Sequence, residues 1–400
     1  MTSSKAVAFA AAMTLTPTIA SAGGLELTGQ PIDIIFEEGN YIEGRVGIVI
    51  PELEGSNPFL SSVGIPGNDS FGDTVDNTPF FTLGAKTDFT DRISGAVLYD
   101  TPYLRDTTYS RGIFEGTSGQ VDSNSITGIL RFKANKNFSV YGGPRVQFSS
   151  VDLQSPFVRD DFLQIDPSET SGFDIDVSDT DFGYVLGGAI EIPDLQARVA
   201  VTYNSEITHD FDSVETFSDF VTPDEVPFPI PAPGLVLSST TEGQFAVTTP
   251  QSINLDVQFP VSTSTLVKAN VRWVDWSSVD FSPPGFVEQF GQPVVVYTDD
   301  TVTYRLTVAQ RLNDNFSAFV TGSYEEQGDE EVSLFKTFDG GFSLGGGVVV
   351  ENGQGLKMTL AGEYRELFAI DGVQSPVLPV PSDLDDGKVF ALSLKFGYNF

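Results

Sequence analysis

The chain has 400 residues, of which 40% are hydrophobic and 12% aromatic, and its formal net charge is −34. Such an acidic chain argues against nucleic-acid binding, because a binder needs basic side chains to displace counterions from the phosphates. There is no cysteine and only one histidine, His209, which excludes disulfides and thiolate metal sites and removes most zinc and histidine chemistry.

The first 22 residues have the pattern of a secretory signal peptide. Lys5 supplies the positive charge, residues 6–15 form a short apolar segment, and Ala-Ser-Ala at 20–22 forms a small-residue cleavage site. A membrane anchor is the alternative, but the apolar segment is too short, and no later segment approaches about 18 continuous apolar residues. We expect an exported protein whose mature chain begins at Gly23 and contains no transmembrane helix.

Alternation of apolar and polar residues dominates the mature sequence. In residues 267–273, for example, Val267, Val271 and Trp273 fall on one face of a strand and Lys268 and Arg272 on the other. We count about fourteen such runs, at the density expected of membrane strands of roughly ten residues. Their approximate spans are 42–53, 79–86, 92–101, 125–134, 138–151, 181–191, 197–208, 248–259, 265–276, 302–311, 316–325, 341–350, 355–367 and 388–400.

The connections between these runs alternate between short and long. Long ones lie near residues 54–78, 102–124, 152–180, 209–247, 277–301, 326–340 and 368–387. Tight turns at one end and long loops at the other are typical of a transmembrane β-barrel, whereas a soluble β-sandwich gives no reason for the pattern. The sequence therefore predicts an all-β fold, an antiparallel transmembrane β-barrel of about 14 strands over residues 42–400.

The last strand ends on an aromatic residue. Every second position of the final eleven residues is apolar or aromatic: Phe390, Leu392, Leu394, Phe396, Tyr398 and Phe400. We expect this strand to close the barrel against the first, since an open edge is not viable in lipid. The C-terminal aromatic residue looks like the signal by which the outer-membrane assembly machinery recognises the barrel proteins that it inserts. An ordinary edge strand is the alternative.

Basic residues predominate on the polar face of the strands, which should line the lumen. Those assigned to the lumen are Lys86, Arg131, Lys133, Arg145, Arg198, Lys268, Arg272, Arg305, Arg311, Lys357, Arg365 and Lys395, against fewer acids, mainly Asp256 and Glu363. We select Arg131, Arg145, Lys268, Arg272 and Arg305 as candidate lumen ligand-binding residues. Two interpretations are open: the cations pair with carboxylates of the protein, or they attract a ligand carboxylate.

One long connection is strongly apolar. Residues 222–237 combine repeated prolines with apolar side chains that include Val226, Phe228, Ile230 and Leu235. An exposed apolar patch usually marks a binding site. We predict an external groove formed with the 152–180 loop, which contributes Phe157 and Phe162. Packing of the two loops against each other is the alternative.

The sequence resembles the family of long-chain fatty acid outer-membrane transporters (FadL type), which includes aromatic-hydrocarbon channels. The resemblance rests on residues 249–281, with Trp-Val-Asp-Trp-Ser at 273–277, on the following segment 301–324, and on the apolar loop at 226–234. The mature N-terminus is similar to the start of the family's plug.

The resemblance implies a fourteen-stranded barrel whose lumen holds an N-terminal hatch, here residues 23–41. It also implies passive transport, from an external groove to a lumen pocket and out through a side window at a kinked third strand. Gly95 and Pro102 are the candidate bend residues in that strand. The hatch is shorter here than in the family, which leaves open how completely it closes the lumen.

We therefore expect a monomeric transporter of hydrophobic small molecules, fatty acids or hydrocarbons, in contact with outer-membrane lipid and lipopolysaccharide. We expect no enzymatic activity, no cofactor, no metal and no nucleic acid. A catalytic triad fragment (His209, Asp212, Ser213) and a calcium site at 174–181 are the rival readings of the acidic loops. A general diffusion porin is the rival transport function.

Overall fold

The computed structural model describes residues 25–57, 70–158, 171–218, 239–328, 335, 339–373 and 382–400. Sixteen strands of the described part form a single antiparallel sheet, and we number them in chain order. They are β1 (Tyr41–Glu52), β2 (Thr78–Asp88), β3 (Ile93–Thr108), β4 (Ser118–Lys133), β5 (Phe138–Val158), β6 (Ser171–Ile192), β7 (Ala197–Asn204), β8 (Ile207–Ser218), β9 (Ser239–Thr249), β10 (Ser252–Pro260), β11 (Thr265–Val274), β12 (Thr301–Arg311), β13 (Phe316–Glu325), β14 (Gly341–Glu351), β15 (Leu356–Leu367) and β16 (Lys388–Asn399).

Fourteen of these strands form a closed ring. Strands β1 to β7 follow one another around the wall, β7 also pairs with β10, and β10 to β16 complete the circuit. β16 then pairs with β1 without a break, from Tyr41↔Asn399 to Glu52↔Lys388. The predicted transmembrane barrel of about 14 strands is therefore confirmed, and each of the fourteen predicted runs overlaps a strand of the ring.

The two faces of the wall strands explain why the sequence alternates. The apolar side chains of Leu130 and Val320 are 62% and 60% exposed on the outside of the barrel. Their chain neighbours Arg131 and Thr321 are buried on the inside. This is the reverse of a soluble protein, and it gives the barrel an apolar belt of outward side chains that suits a lipid environment.

The remaining two strands, β8 and β9, form a hairpin that extends the wall beyond the ring. β8 follows β7 closely, and its far end pairs with the start of β6. Most outward side chains of β8, such as Thr208 and Asp210, are polar and exposed, with Val214 as the exception. The hairpin therefore projects beyond the apolar belt.

The predicted long connections at 102–124, 152–180 and 209–247 are wrong in their boundaries, because β3 to β6, β8 and β9 all continue into them. In β6 the alternation reverses at this level: Phe173 and Ile175 point inward, and Asp174 and Asp176 are exposed. Outside the membrane the outward face meets water, so acidic residues replace the apolar ones. Their acidity made the segment look like a loop.

Short elements cover the end of the barrel near the hairpin. A four-stranded sheet combines Glu54–Ser56, Ser70–Asp73, Ile370–Val373 and Ser382–Leu384, and Asp280–Phe281 pairs with Val295–Val296. Helix α1 (Pro284–Phe290) is fastened to the hairpin by the buried Glu215, whose carboxylate accepts the backbone N–H groups of Gly285 at 2.8 Å and Phe286 at 2.6 Å. Single 3₁₀ turns occur at Asp33–Phe36, Gly112–Phe114, Pro193–Leu195 and Trp276–Ser278. None of the helices in the described ranges is long and apolar enough to span a membrane.

Residues 25–40 lie inside the barrel and precede β1 in the chain. The Leu27 N–H donates to the Pro102 carbonyl at 2.8 Å, and the Leu104 N–H donates to the Leu25 carbonyl at 3.3 Å, so this N-terminal segment forms backbone bonds with β3. Further along, Ile34 and Ile35 are almost completely buried within an apolar cluster of wall residues.

Ion pairs fix the N-terminal segment to three other parts of the wall. Arg272 on β11 pairs with Glu26, and both side chains are buried. The other two pairs are Asp33 with Arg198 on β7, at 3.0 Å, and Glu37 with Lys357 on β15, at 3.2 Å. The segment therefore has the contacts that a hatch at 23–41 needs. Its hatch function, and the role of residues 23 and 24, which lie outside the described ranges, remain predictions.

We expect the aromatic residues at the C-terminal end to be needed for barrel assembly, more than equally exposed aromatic residues elsewhere in the wall. Tyr398 and Phe400 are 42% and 67% exposed on the outer face, and their rings stack at 6.1 Å. We expect the double change Tyr398→Ser and Phe400→Ser to reduce the folded barrel several-fold, measured as the heat-shifted band on semi-native gels. Phe138→Ser with Phe316→Ser removes two equally exposed aromatics elsewhere and is the matched control. An equal loss in both variants would contradict a specific role for the terminal strand.

Breaking the Glu26–Arg272 pair should loosen the N-terminal segment. Removing one partner of a buried ion pair costs about 3–5 kcal/mol, because the other charge stays buried without compensation. We expect Glu26→Ala to increase the ion conductance of single molecules in planar lipid bilayers, while Glu52→Ala, at an exposed position at the end of β1, leaves it unchanged. A Glu26→Ala barrel as silent as the parent would show that this pair does not keep the lumen closed.

Candidate functional site

The wall contains a bulge in β3. Asp100 pairs with Ser125 on β4 and Tyr103 pairs with Ser123, so two β3 residues, one of them Pro102, lie opposite a single β4 residue. One extra residue bends a strand and increases its twist. The proline, which has no N–H to donate, is compatible with this irregular position.

The ladder between β2 and β3 stops at the same level. Its last pair is Leu83↔Tyr99, and the chains meet again only at an isolated bridge between Val75 and Thr107. Between these points, residues 78–82 and 100–105 are not paired with each other, although both stretches lie in the described part of the chain. The predicted bend residue Pro102 lies in this interval, whereas Gly95 lies in regular ladder. Their role in a lateral opening remains a prediction.

An apolar cavity, which we call the upper cavity, lies directly beyond the β3 bulge. It contains about 830 Å³ of space including its open mouth. The Leu25 side chain of the N-terminal segment forms part of its lining. The main lining residues are Leu25, Tyr103, Arg105, Thr107, Val121, Ser123, Val151, Leu153, His209, Phe211, Val247, Trp276, Phe281 and Tyr297. A concave, mostly apolar cavity with a few polar groups is the usual form of a small-molecule site.

A few polar side chains interrupt this apolar lining. Ser123, Thr107, His209 and Trp276 are each at most 1% exposed. Ser123 Oγ, Thr107 Oγ1, His209 Nε2 and Trp276 Nε1 have no hydrogen-bond partner among the described protein atoms. Leaving such a group buried and unpaired costs about 1–3 kcal/mol, so four in one cavity require an explanation.

The orientation of His209 is set from outside the cavity. Its Nδ1 atom lies 3.1 Å from Asp179 Oδ2 on β6. Burial lowers the pKa of His209 below its ordinary value, although the hydrogen bond to Asp179 acts in the opposite direction. The neutral ring therefore carries its proton on Nδ1 and presents Nε2 as an acceptor.

The side chains of His209, Asp212 and Ser213 do not form the hydrolase triad considered as a rival reading of the sequence. His209 bonds to Asp179, while Asp212 points to the opposite face of β8 and accepts a hydrogen bond from Gln244 at 2.6 Å. Ser213 Oγ lies 3.4 Å from Glu215, not beside the imidazole. Among the described residues, no group of three or more histidine and acidic side chains is placed to hold a metal ion.

A second, polar cavity lies below the upper one, between residues 29–33 and strands β7, β10, β11 and β12. It contains about 910 Å³ including its mouth, and Asp33, Asp256, Arg198 and Lys268 line it. We call it the lower cavity. Its mixed charges differ from the apolar lining above the N-terminal segment.

The five cations selected from the sequence do not form one cluster. Lys268, Arg272 and Arg305 line the lower cavity, and Arg131 and Arg145 do not. Arg305 pairs with Glu363 at 2.9 Å, Arg131 with Glu191, and Arg272 with Glu26. Arg145 donates to Thr127 at 2.9 Å and to Asn204 at 3.1 Å.

Protein carboxylates thus compensate much of the positive lumen, which supports the first of the two interpretations. Binding of a ligand carboxylate by any of these cations stays a prediction. Asp256 and Glu363 are the main inward acids predicted from the sequence, and the paired carboxylates of Glu26, Glu191 and Glu325 are not among the predicted ones. Glu26 belongs to the N-terminal segment, where no strand pattern could show that its side chain meets Arg272.

The predicted external groove cannot be assigned a geometry. Phe162, Val226, Phe228, Ile230 and Leu235 lie outside the described residues, and the backbone of Phe157 lies near the end of β5. The groove remains a prediction from the sequence.

Comparison with known proteins identifies the fold and the family. The sequence model described as "Outer membrane protein transport protein (OMPP1/FadL/TodX)" matches residues 38–283, more than half of the chain. No curated protein matches the sequence.

Among solved structures, a Pseudomonas aeruginosa FadL homologue is 16% identical over 95% of this chain and 96% of that one, with a TM-score of 0.71. The Ralstonia pickettii toluene transporter TbuX is 14% identical over 96% and 98%, with a TM-score of 0.60. The Pseudomonas putida toluene transporter TodX is 11% identical over 98% of both chains, with a TM-score of 0.59. At these identities the structures establish the fold, and the sequence model establishes the family. The resemblance noted in the sequence is confirmed: the chain belongs to the outer membrane transport protein family of FadL and TodX.

Proposed function

We propose that this protein carries long-chain fatty acids or similar hydrophobic molecules across the outer membrane by facilitated diffusion. Its family consists of outer-membrane transporters of hydrophobic molecules, and the related structures include a FadL homologue and toluene transporters. The finer assignment to fatty acids is our proposal, and the Arg105 guanidinium in the lining of the upper cavity is compatible with a carboxylate head group.

The observation that carries the proposal is the position of the upper cavity. An apolar cavity next to the unpaired interval between β2 and β3 can receive a hydrophobic molecule and release it sideways. Lateral release suits such a molecule, because the lipid of the outer membrane dissolves it better than the aqueous periplasm does. The external groove at 222–237 and 152–180 would capture it first.

The N-terminal segment supports release to the side. Residues 25–37 cross the lumen with ion pairs to β7, β11 and β15, and with backbone bonds to β3. A molecule in the upper cavity therefore meets a tethered segment below it and the β3 bulge beside it. A general diffusion porin has no need of such a segment.

A broader hydrocarbon channel is the second candidate. The apolar lining of the upper cavity favours it, since Val151, Leu153 and Phe211 can accept a molecule without any head group. Export through the signal peptide at 1–22, a monomeric state and contact with lipopolysaccharide belong to both versions of the proposal.

Uptake of labelled oleate tests the proposal, in bacteria that lack their own fatty acid transporter, with an alkane of similar length in parallel. Deleting Pro102 removes the extra residue from β3 and should lower uptake to the level of cells without the protein. Pro102→Ala keeps the extra residue and should retain uptake. Both variants must give the heat-shifted band of a folded barrel. Oleate uptake that survives the deletion would contradict release at the bulge, and no uptake by the folded parent protein would contradict the function.

A further inference from the structure

We infer that, among uncharged hydrophobic molecules, the upper cavity selects those bearing a group that can both donate and accept a hydrogen bond, a hydroxyl being the simplest. The inference deepens the proposed function and rests on it. It follows from Ser123 Oγ, Thr107 Oγ1, His209 Nε2 and Trp276 Nε1, four buried polar atoms that line the cavity and have no hydrogen-bond partner among the described protein atoms.

The four atoms offer complementary roles. Trp276 Nε1 can only donate, and His209 Nε2, in the neutral ring oriented by Asp179, can only accept. The hydroxyls of Ser123 and Thr107 can do either. A pure hydrocarbon would leave all four atoms without a hydrogen bond. An ester would accept hydrogen bonds from the donors but would offer no donor to His209 Nε2. A hydroxyl can serve both kinds.

The donor and the acceptor are held rigidly. Trp276 stacks on Tyr297 with ring centroids 5.0 Å apart, and it meets Tyr103 edge-on at 5.8 Å. His209 lies parallel to Phe211 at 6.0 Å and is fixed by its bond to Asp179. Groups positioned in advance lose little entropy when a ligand binds, so their hydrogen bonds can discriminate between ligands.

A carboxylate fits the His209 end of this lining less well than a hydroxyl does. A carboxylate oxygen beside His209 Nε2 would place two hydrogen-bond acceptors next to each other with no proton between them. The Arg105 guanidinium, which also lines the cavity, attracts a carboxylate, so the preference that the four atoms set is for an alcohol over an uncharged alkane or ester of the same length.

Trp276 provides a direct readout. The chain has two tryptophans, and the other, Trp273, bonds to Asp300 at 3.1 Å outside the cavity. Trp273→Phe leaves Trp276 as the sole tryptophan emitter. We would titrate this variant, folded in detergent, with 1-decanol, methyl decanoate and decane, and follow the shift of its emission as the indole N–H gains a partner.

The matched variants differ only in location. Ser123→Ala with Thr107→Val removes two hydroxyls from the cavity lining. Ser125→Ala with Thr301→Val removes two hydroxyls that are also buried and also without a partner among the described protein atoms, but that do not line the cavity. Both pairs are made in the Trp273→Phe background.

We expect decanol to bind about tenfold more tightly than decane or the ester, which is the effect of one or two hydrogen bonds. The cavity pair should remove this advantage, and the control pair should keep it. Equal affinities for decanol and decane, or for decanol and the ester, would overturn the inference. The inference would also be overturned if the cavity pair and the control pair of substitutions lowered the affinity advantage of decanol equally. In each case oleate uptake by the parent protein tells whether the proposed function still stands.

Discussion

Every part of this architecture depends on the need to pair backbone polar groups where no water is present. In hydrocarbon an unpaired N–H or C=O is expensive, so a sheet that crosses lipid must close on itself. The uninterrupted ladder between β16 and β1 meets that need. It also makes the exceptions informative. The ladder is interrupted between β2 and β3, and there the β3 backbone bonds instead to the N-terminal segment through Leu25 and Leu27.

The same requirement divides the inside of the barrel. Several cations that face the lumen are balanced by carboxylates from the wall and from the N-terminal segment, as in the Arg305–Glu363 and Arg272–Glu26 pairs. The segment carries polar contacts towards the lower cavity and apolar ones, such as Leu25, towards the upper cavity. One short stretch of chain thus separates a polar cavity from an apolar one, and the apolar one adjoins the interruption in the wall.

The sequence predicts the lipid-facing part of this fold well, because alternation over residues such as Phe390 to Phe400 reports directly on the two faces of a strand. It predicts the rest less well, for reasons that differ by position. The outer half of β6 looked like a loop, since Asp174 and Asp176 replace apolar residues where the outward face meets water.

The residues of the candidate site were harder to predict. Thr107 and Ser123 lie in segments of the same kind, which were predicted as loops, and they were missed. Trp276 was noted only as part of a motif, and His209 was noted with the wrong partners, because Asp179 reaches it from another strand. The Glu26–Arg272 pair joins residues 246 positions apart, which no local pattern can reveal.

The central claim is that a hydrophobic molecule passes through the upper cavity. Crystals of the protein soaked with a bromine-labelled long-chain fatty acid would test it most directly, through the anomalous signal of the bromine. The account predicts a bromine peak in the upper cavity, among Val151, Phe211 and Trp276. A peak confined to the lower cavity beside Lys268, in crystals of a protein that transports the same acid, would contradict it.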